Sequence, residues 1–121
     1  MTISFDFDGV LRDLKKAQQL AIDLKKEGHT VLLVTTRYDE YMSDVRRVAT
    51  LVDIEPKNVY NTNFVWKGEW FHAHGFYPDI HIDDTWTELQ KAREFGIPTR
   101  FVLVTKVGWV DEVYNIIKGK K

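Results

Sequence analysis

Two carboxylates two residues apart, Asp6 and Asp8, close the apolar run Ile3-Ser4-Phe5 and lead directly into Gly9. Two adjacent acids, Asp83 and Asp84, close a second apolar run, Ile80-His81-Ile82. A third run, Val31 to Val34, ends in Thr35-Thr36-Arg37, and Lys67 comes shortly after a fourth. Each of these residue types has a place in phosphoryl chemistry. A carboxylate can attack phosphorus and hold the phosphoryl group as an acyl phosphate. A second carboxylate two residues on emerges on the same side of a strand, where it can give a proton to a leaving oxygen and later take one from water. A hydroxyl, a guanidinium or an ammonium can bind phosphoryl oxygens and offset charge in the transition state. Four acids gathered at one edge repel one another. A hard divalent cation relieves that repulsion, and an all-oxygen ligand set selects Mg²⁺. On this reading, Asp83→Asn should raise the melting temperature of the metal-free protein.

Elements of alternating period must bring these ends together. Ile3 to Phe7 reads as a buried strand closed by Asp8-Gly9, and Asp13 to Glu27 as a helix with Leu14, Ala17, Ala21 and Leu24 on one face. Thr30 to Thr35 is the strongest strand. Tyr41, Val45, Val48, Ala49 and Val52 mark a second helix ended near Pro56, and Val59-Tyr60-Asn61 a short strand. Val65 to Ala73 reads as a helix, Asp79 to Asp83 as a strand and Glu88 to Phe95 as a helix. Arg100 to Val104 is the fifth strand and Val110 to Ile117 the last helix. Strands alternating with helices imply crossovers and a parallel sheet. The expected fold is α/β: a three-layer, Rossmann-like sandwich around a five-stranded parallel sheet, as a single domain over 1–121. In such sheets ligands sit beyond the carboxyl ends of the strands, which is where the polar residues collect.

With 121 residues the chain is long enough for one core. A net charge of -1 gives no bulk attraction to nucleic acid or an anionic membrane. There are no cysteines, which excludes thiolate chemistry and suits a cytoplasmic protein. Strand-like sequence begins at once after Met1-Thr2, leaving no room for a signal peptide, and no apolar run approaches the ~18 residues of a membrane span. The sequence does not disclose an oligomeric state.

The motifs resemble those of the haloacid-dehalogenase (HAD)-like superfamily. Phe5-Asp6-Phe7-Asp8-Gly9-Val10-Leu11 resembles its first signature, and Val31 to Arg37 is similar to the second, with Thr35 as the hydroxyl. Lys67 stands for the third, a lone lysine, and Ile80 to Asp84 resembles the fourth, an apolar strand ending in paired acids. The resemblance implies Asp6 as nucleophile, and Asp8 as acid and base and as a metal ligand through its backbone carbonyl. It implies Asp83 as a metal ligand, Asp84 as a ligand or an orienting group, and Thr35 and Lys67 as the hold on the phosphoryl group. Arg37 is similar to an arginine in the phosphatase domains of polynucleotide kinases. A Mg²⁺-dependent phosphomonoester hydrolase follows, working through an aspartyl phosphate. Its substrate would be a nucleotide, a polynucleotide end or another accessible phosphate. Neither gap between the signatures is long enough for a cap, and the hairpin that usually follows the first one is squeezed out.

Blander readings stand beside these. Thr36 replaces Thr35 if the strand end shifts by one residue, and Arg37 is equally a surface residue. Lys57 rivals Lys67 but precedes its strand and belongs at the opposite edge. The segment with Trp66, Trp70, Phe71, His72, His74, Phe76 and Tyr77 reads as core packing with exposed histidines, with a base-stacking shelf as the alternative. A receiver-like domain would need its aspartate at the third strand, and Val59 to Thr62 has none. A non-catalytic phosphate- or partner-binding module with a vestigial site is the competing function.

Overall fold

Five short apolar runs become β1 (Thr2–Phe5), β2 (Thr30–Thr35), β3 (Val59–Asn61), β4 (Ile80–Asp83) and β5 (Arg100–Leu103), in a computed structural model that describes residues 1–119. The strands are all parallel, in the order β3-β2-β1-β4-β5. Between them run α1 (Lys15–Lys26), α2 (Ser43–Leu51), α3 (Lys67–His74) and α4 (Trp86–Glu94), and α5 (Trp109–Ile117) follows β5. The expected three-layer α/β sandwich is the observed one.

Alternation along the strands divides the core in two. Ile3, Phe5, Val31, Leu33, Ile80 and Ile82 join Ala17 and Leu24 of α1, Val45 of α2 and Val113 of α5 in the larger cluster. Leu32 and Val34 meet Phe71 of α3 in the smaller one, edged by Tyr60, Trp70 and Phe101. Burying one such side chain contributes roughly 1.5–3 kcal/mol, so the apolar strands set their own faces. The chain leaves β1 for α1, on the side of the larger cluster, and leaves β4 for α4, which packs on α3. The connections that follow the neighbouring strands β1 and β4 therefore part beyond their carboxyl ends and open a crevice there.

Boundaries moved where side-chain periodicity was ambiguous. Val65 and Trp66 precede α3, because Trp66 is extended (φ -53, ψ 137). Tyr41 lies in a short 3-10 turn, Asp39–Tyr41, ahead of α2 and exposed. After β1 the chain makes one wide turn, Phe7–Leu11, and enters α1 after three intervening residues. The described residues contain no other strands, so no hairpin or cap follows β1.

Candidate functional site

Asp6 follows the last residue of β1, and its amide donates to the Ile82 carbonyl at 2.9 Å, which locks the end of β1 to β4. Asp83 ends β4, with Asp84 next to it. Carboxylate oxygens of Asp6, Asp83 and Asp84 lie within 4.8 Å of one another, a group that could hold a metal ion. Gly9 makes this approach possible. Its φ is +79°, and a Cβ there would fall 2.0 Å from Asp84 Oδ2. Only glycine tolerates both the conformation and the contact.

The counter-charge that the sequence assigned to a cation is already supplied by a side chain. Lys67 Nζ, with the residue only 2% exposed, donates to Asp6 Oδ1 and to Asp83 Oδ2, each at 2.6 Å. The lysine reaches this point because α3 lies very close to α4: a Cβ at Gly68 would fall 2.6 Å from the Ala92 Cα. Glu88 of α4 completes the arrangement by accepting the Lys67 amide at 2.9 Å, capping the start of α3. Lys57, exposed and paired with Glu55, takes no part.

Burial pushes the Asp6 carboxyl well above the usual carboxylate range, outweighing the pull of Lys67. Burial acts on Asp83 in the same sense, but Lys67 and His81 together overcome it and hold Asp83 far below that range. Burial also disfavours the Lys67 ammonium, yet Asp6, Asp83 and Glu88 reverse this and raise it above its ordinary value. Asp83 is thus the firmly ionised member, and Asp6 is the one that takes a proton first. His81 is lowered by burial and neutral. An ionised Asp83 can only accept, so His81 Nε2 carries the proton in their 2.8 Å contact. Nδ1 then accepts the Ser4 hydroxyl at 2.6 Å. Asp83 Oδ1 takes the amides of Asp84 and Thr85 at 2.8 and 3.1 Å, so each Asp83 oxygen accepts two hydrogen bonds.

Asp8 stands apart from this cluster. Its carboxylate receives Nε and Nη2 of Arg37 at 3.0 and 2.8 Å, and Nη1 of Arg12 at 2.9 Å. Arg37 also donates to Asp44 Oδ1 and the Tyr41 carbonyl, which commits four of its N–H donors. A guanidinium has five. Arg37, expected as a phosphate ligand, here turns its fork to Asp8 and holds that carboxylate in place. Thr35 is buried at the end of β2, and its Oγ1 accepts the Arg37 amide at 3.4 Å. Thr36 instead lines a cleft of about 820 Å³ beside Asp8 and Arg37. Thr35 is thus enclosed, and Thr36 is the one of the pair that lines the cleft.

The aromatic segment largely packs, as its main reading had it. Trp70, Phe71 and Phe76 pack in the smaller core, and none of the residues from Trp66 to Tyr77 lines the cleft. The cleft's rings are Tyr38, Tyr41 and Phe64, which the sequence reading passed over. It also missed Glu88, His81, Arg12 and Asp44. The spacing Thr85-x-x-Glu88 is a usable signal of a helix start, but it suggests a cap on α4, and Glu88 serves α3 instead.

Neither a protein-family model, nor a curated protein, nor a solved structure matches this chain. The fold and the site define a three-layer α/β protein whose β1–β4 crevice holds a buried, lysine-bridged aspartate cluster that could hold a metal ion. Among the described residues, no helix is long and apolar enough to cross a membrane.

Proposed function

We propose that the chain is a Mg²⁺-dependent phosphomonoester hydrolase of the HAD-like type, without a cap, in which Asp6 is the nucleophile. The observation that carries this reading is the meeting of Asp6, Lys67 and Asp83 at 2.6 Å contacts beyond the ends of β1 and β4. The donor set fits a hard divalent cation, since the Asp6, Asp83 and Asp84 oxygens converge and no sulfur is present. Such a cation, when bound there, supplies charge neutralisation to the nucleophile and the phosphate.

The chain's own groups carry the steps. An Asp6 oxygen attacks phosphorus, a P–O bond forms, and the ester P–O bond breaks with its electron pair leaving on the substrate oxygen. Asp8, fixed at the cleft by Arg37 and Arg12, gives that oxygen a proton. Asp8 then takes a proton from water, whose oxygen attacks the phosphorus of the aspartyl phosphate and releases phosphate and Asp6. Lys67 offsets the charge on the phosphoryl oxygens, and the Thr35 or Thr36 hydroxyl donates to one of them. His81 and Ser4 keep Asp83 ionised and in place.

A non-catalytic phosphate-binding module is the second reading. What favours it is the closed Asp6–Lys67–Asp83 bridge, in which the proposed nucleophile already has a partner. Turnover of a generic aryl phosphate, with and without Mg²⁺, separates the two. The hydrolase gives catalytic, cation-dependent release of the phenol that Asp6→Asn abolishes. Tight phosphate binding without turnover establishes the module.

A further inference from the structure

Three large rings stand exposed around the cleft that contains Asp8: Phe64 at 66%, Tyr41 at 60% and Tyr38 at 43%. Tyr38 and Phe64 come from loops that leave β2 and β3, and their ring centroids lie 4.6 Å apart at 34°. Core packing does not account for them, because they project from the carboxyl edge of the sheet into solvent. Their positions are nevertheless enforced. Asn63 and Phe64 have φ of 54° and 66°, a left-handed conformation that a bulky residue such as Phe rarely adopts. Hydrogen bonds hold the two loops together. The Phe64 amide donates to the Thr36 carbonyl at 2.6 Å, the Asp39 amide to Asn63 Oδ1 at 3.2 Å, and Asn61 Nδ2 to Asp39 Oδ1 at 2.7 Å. Strain maintained by a bonded loop pair, with the result of exposing a ring, needs a ligand to explain it.

Resting on the phosphohydrolase reading, we propose that the Tyr38–Tyr41–Phe64 cleft binds the nucleobase of a nucleotide whose phosphate is presented to Asp6. At about 820 Å³ the cleft is in the range of small-molecule sites, roughly 300–1,000 Å³. Its lining divides between polar groups, Asp8, Thr36 and Arg37, and aromatic ones. A nucleotide has the same division: an anionic group joined through a sugar to a flat ring with π-faces. Glu40 lines the cleft and offers an acceptor to N–H groups on a base edge. The nucleotide is a free mononucleotide or the phosphorylated end of a strand, and both present the same base and phosphate.

The test has a binding arm that needs no turnover. In an Asp6→Asn background, dissociation constants are measured by calorimetry for a nucleoside monophosphate, for a single-stranded oligonucleotide with a terminal phosphate, and for glycerol phosphate. Phe64→Asn removes the ring while keeping a residue that tolerates the left-handed conformation, and Tyr38→Ser removes its neighbour. Each variant is first checked for an unaltered circular dichroism spectrum. The expected result is nucleotide binding tighter than glycerol phosphate binding, with the preference lowered about 10- to 100-fold in either variant, the scale of a lost base–aromatic stack. Preference for the oligonucleotide assigns the strand end, and parity assigns the mononucleotide. No preference for either nucleotide over glycerol phosphate, or a preference that survives both variants, overturns the proposal. Loss of the preference in a protein that hydrolyses nothing would leave the base site standing and remove the phosphatase.

Discussion

Lys67→Met keeps the length and volume of the side chain and removes one charge from between two buried carboxylates. Each contact is 2.6 Å, with Lys67, Asp6 and Asp83 side chains almost wholly out of solvent. At an effective dielectric near 20, one such contact has a gross attraction of about 6 kcal/mol. Most of that is offset by desolvation, and breaking a buried pair by removing one partner costs about 3–5 kcal/mol net. For 121 residues, each kcal/mol moves Tm by about 3–5 °C, so the metal-free variant should melt roughly 10–20 °C below the parent. Two further signatures identify the cause as charge. Without Lys67, burial acts on Asp6 unopposed and raises its folded pKa further above the unfolded ~3.9, so its contribution is present at low pH and lost as pH rises through the folded value. The Tm deficit should therefore shrink as pH falls toward 5. A divalent cation restores the counter-charge, so Mg²⁺ at a hundred times its Kd should recover about 2.7 kcal/mol. The assay is thermal melting followed by circular dichroism, with chelator or with Mg²⁺, across pH 5 to 8. A variant within about 2 °C of the parent, or a deficit indifferent to pH and cation, would refute the account of Lys67 as the internal counter-ion.

Asp83→Asn in chelator should lower stability by about 3–5 kcal/mol, the reverse of the expectation from repelling acids, because Lys67 and His81 hold Asp83 ionised. Asp6→Asn should instead raise Tm, since burial makes an ionised Asp6 a cost at neutral pH; melting curves of the two variants read the opposite signs. As the proposed nucleophile Asp6 must be ionised to attack, so on that proposal kcat/KM should rise with pH through a pKa above the ordinary carboxylate value of about 4, and this limb should move to lower pH as Mg²⁺ saturates. Gly9→Ala meets Asp84 at 2.0 Å in a left-handed conformation, and should cost about 1–3 kcal/mol by denaturant unfolding while weakening Mg²⁺ binding measured by calorimetry.

The strands were legible because Ile3, Phe5, Val31, Leu33, Ile80 and Ile82 are buried on a sheet covered on both faces, leaving short, mostly apolar runs without charge before their ends. Asp6, Asp83 and Asp84 were legible for the same reason, as charges at the ends of such runs. α3 was harder: its inward face is Lys67, Gly68 and Phe71, so hydrophobic periodicity is absent where the helix is most buried. His81 was hidden in a strand that reads as core, and only the neighbouring Ser4 and Asp83 reveal its role. Pairings such as Arg37 with Asp8, 29 residues apart, depend on β1 and β2 lying side by side. Of the cleft's rings, Tyr38 and Phe64 lie in loops with no period, and Tyr41 ends a single 3-10 turn. Their placement comes from Asn61, Asn63 and two left-handed residues, a local geometry that composition does not encode.

The most direct test of the central claim is chemical capture of the acyl phosphate. Enzyme turning over an aryl phosphate with Mg²⁺ is quenched in acid and reduced with borohydride, which converts an aspartyl phosphate to homoserine, and the peptide containing Asp6 is sequenced by mass spectrometry. The account predicts homoserine at position 6, and none when substrate is omitted. Turnover with Asp6 left intact, or reduction at a different carboxylate, would contradict it.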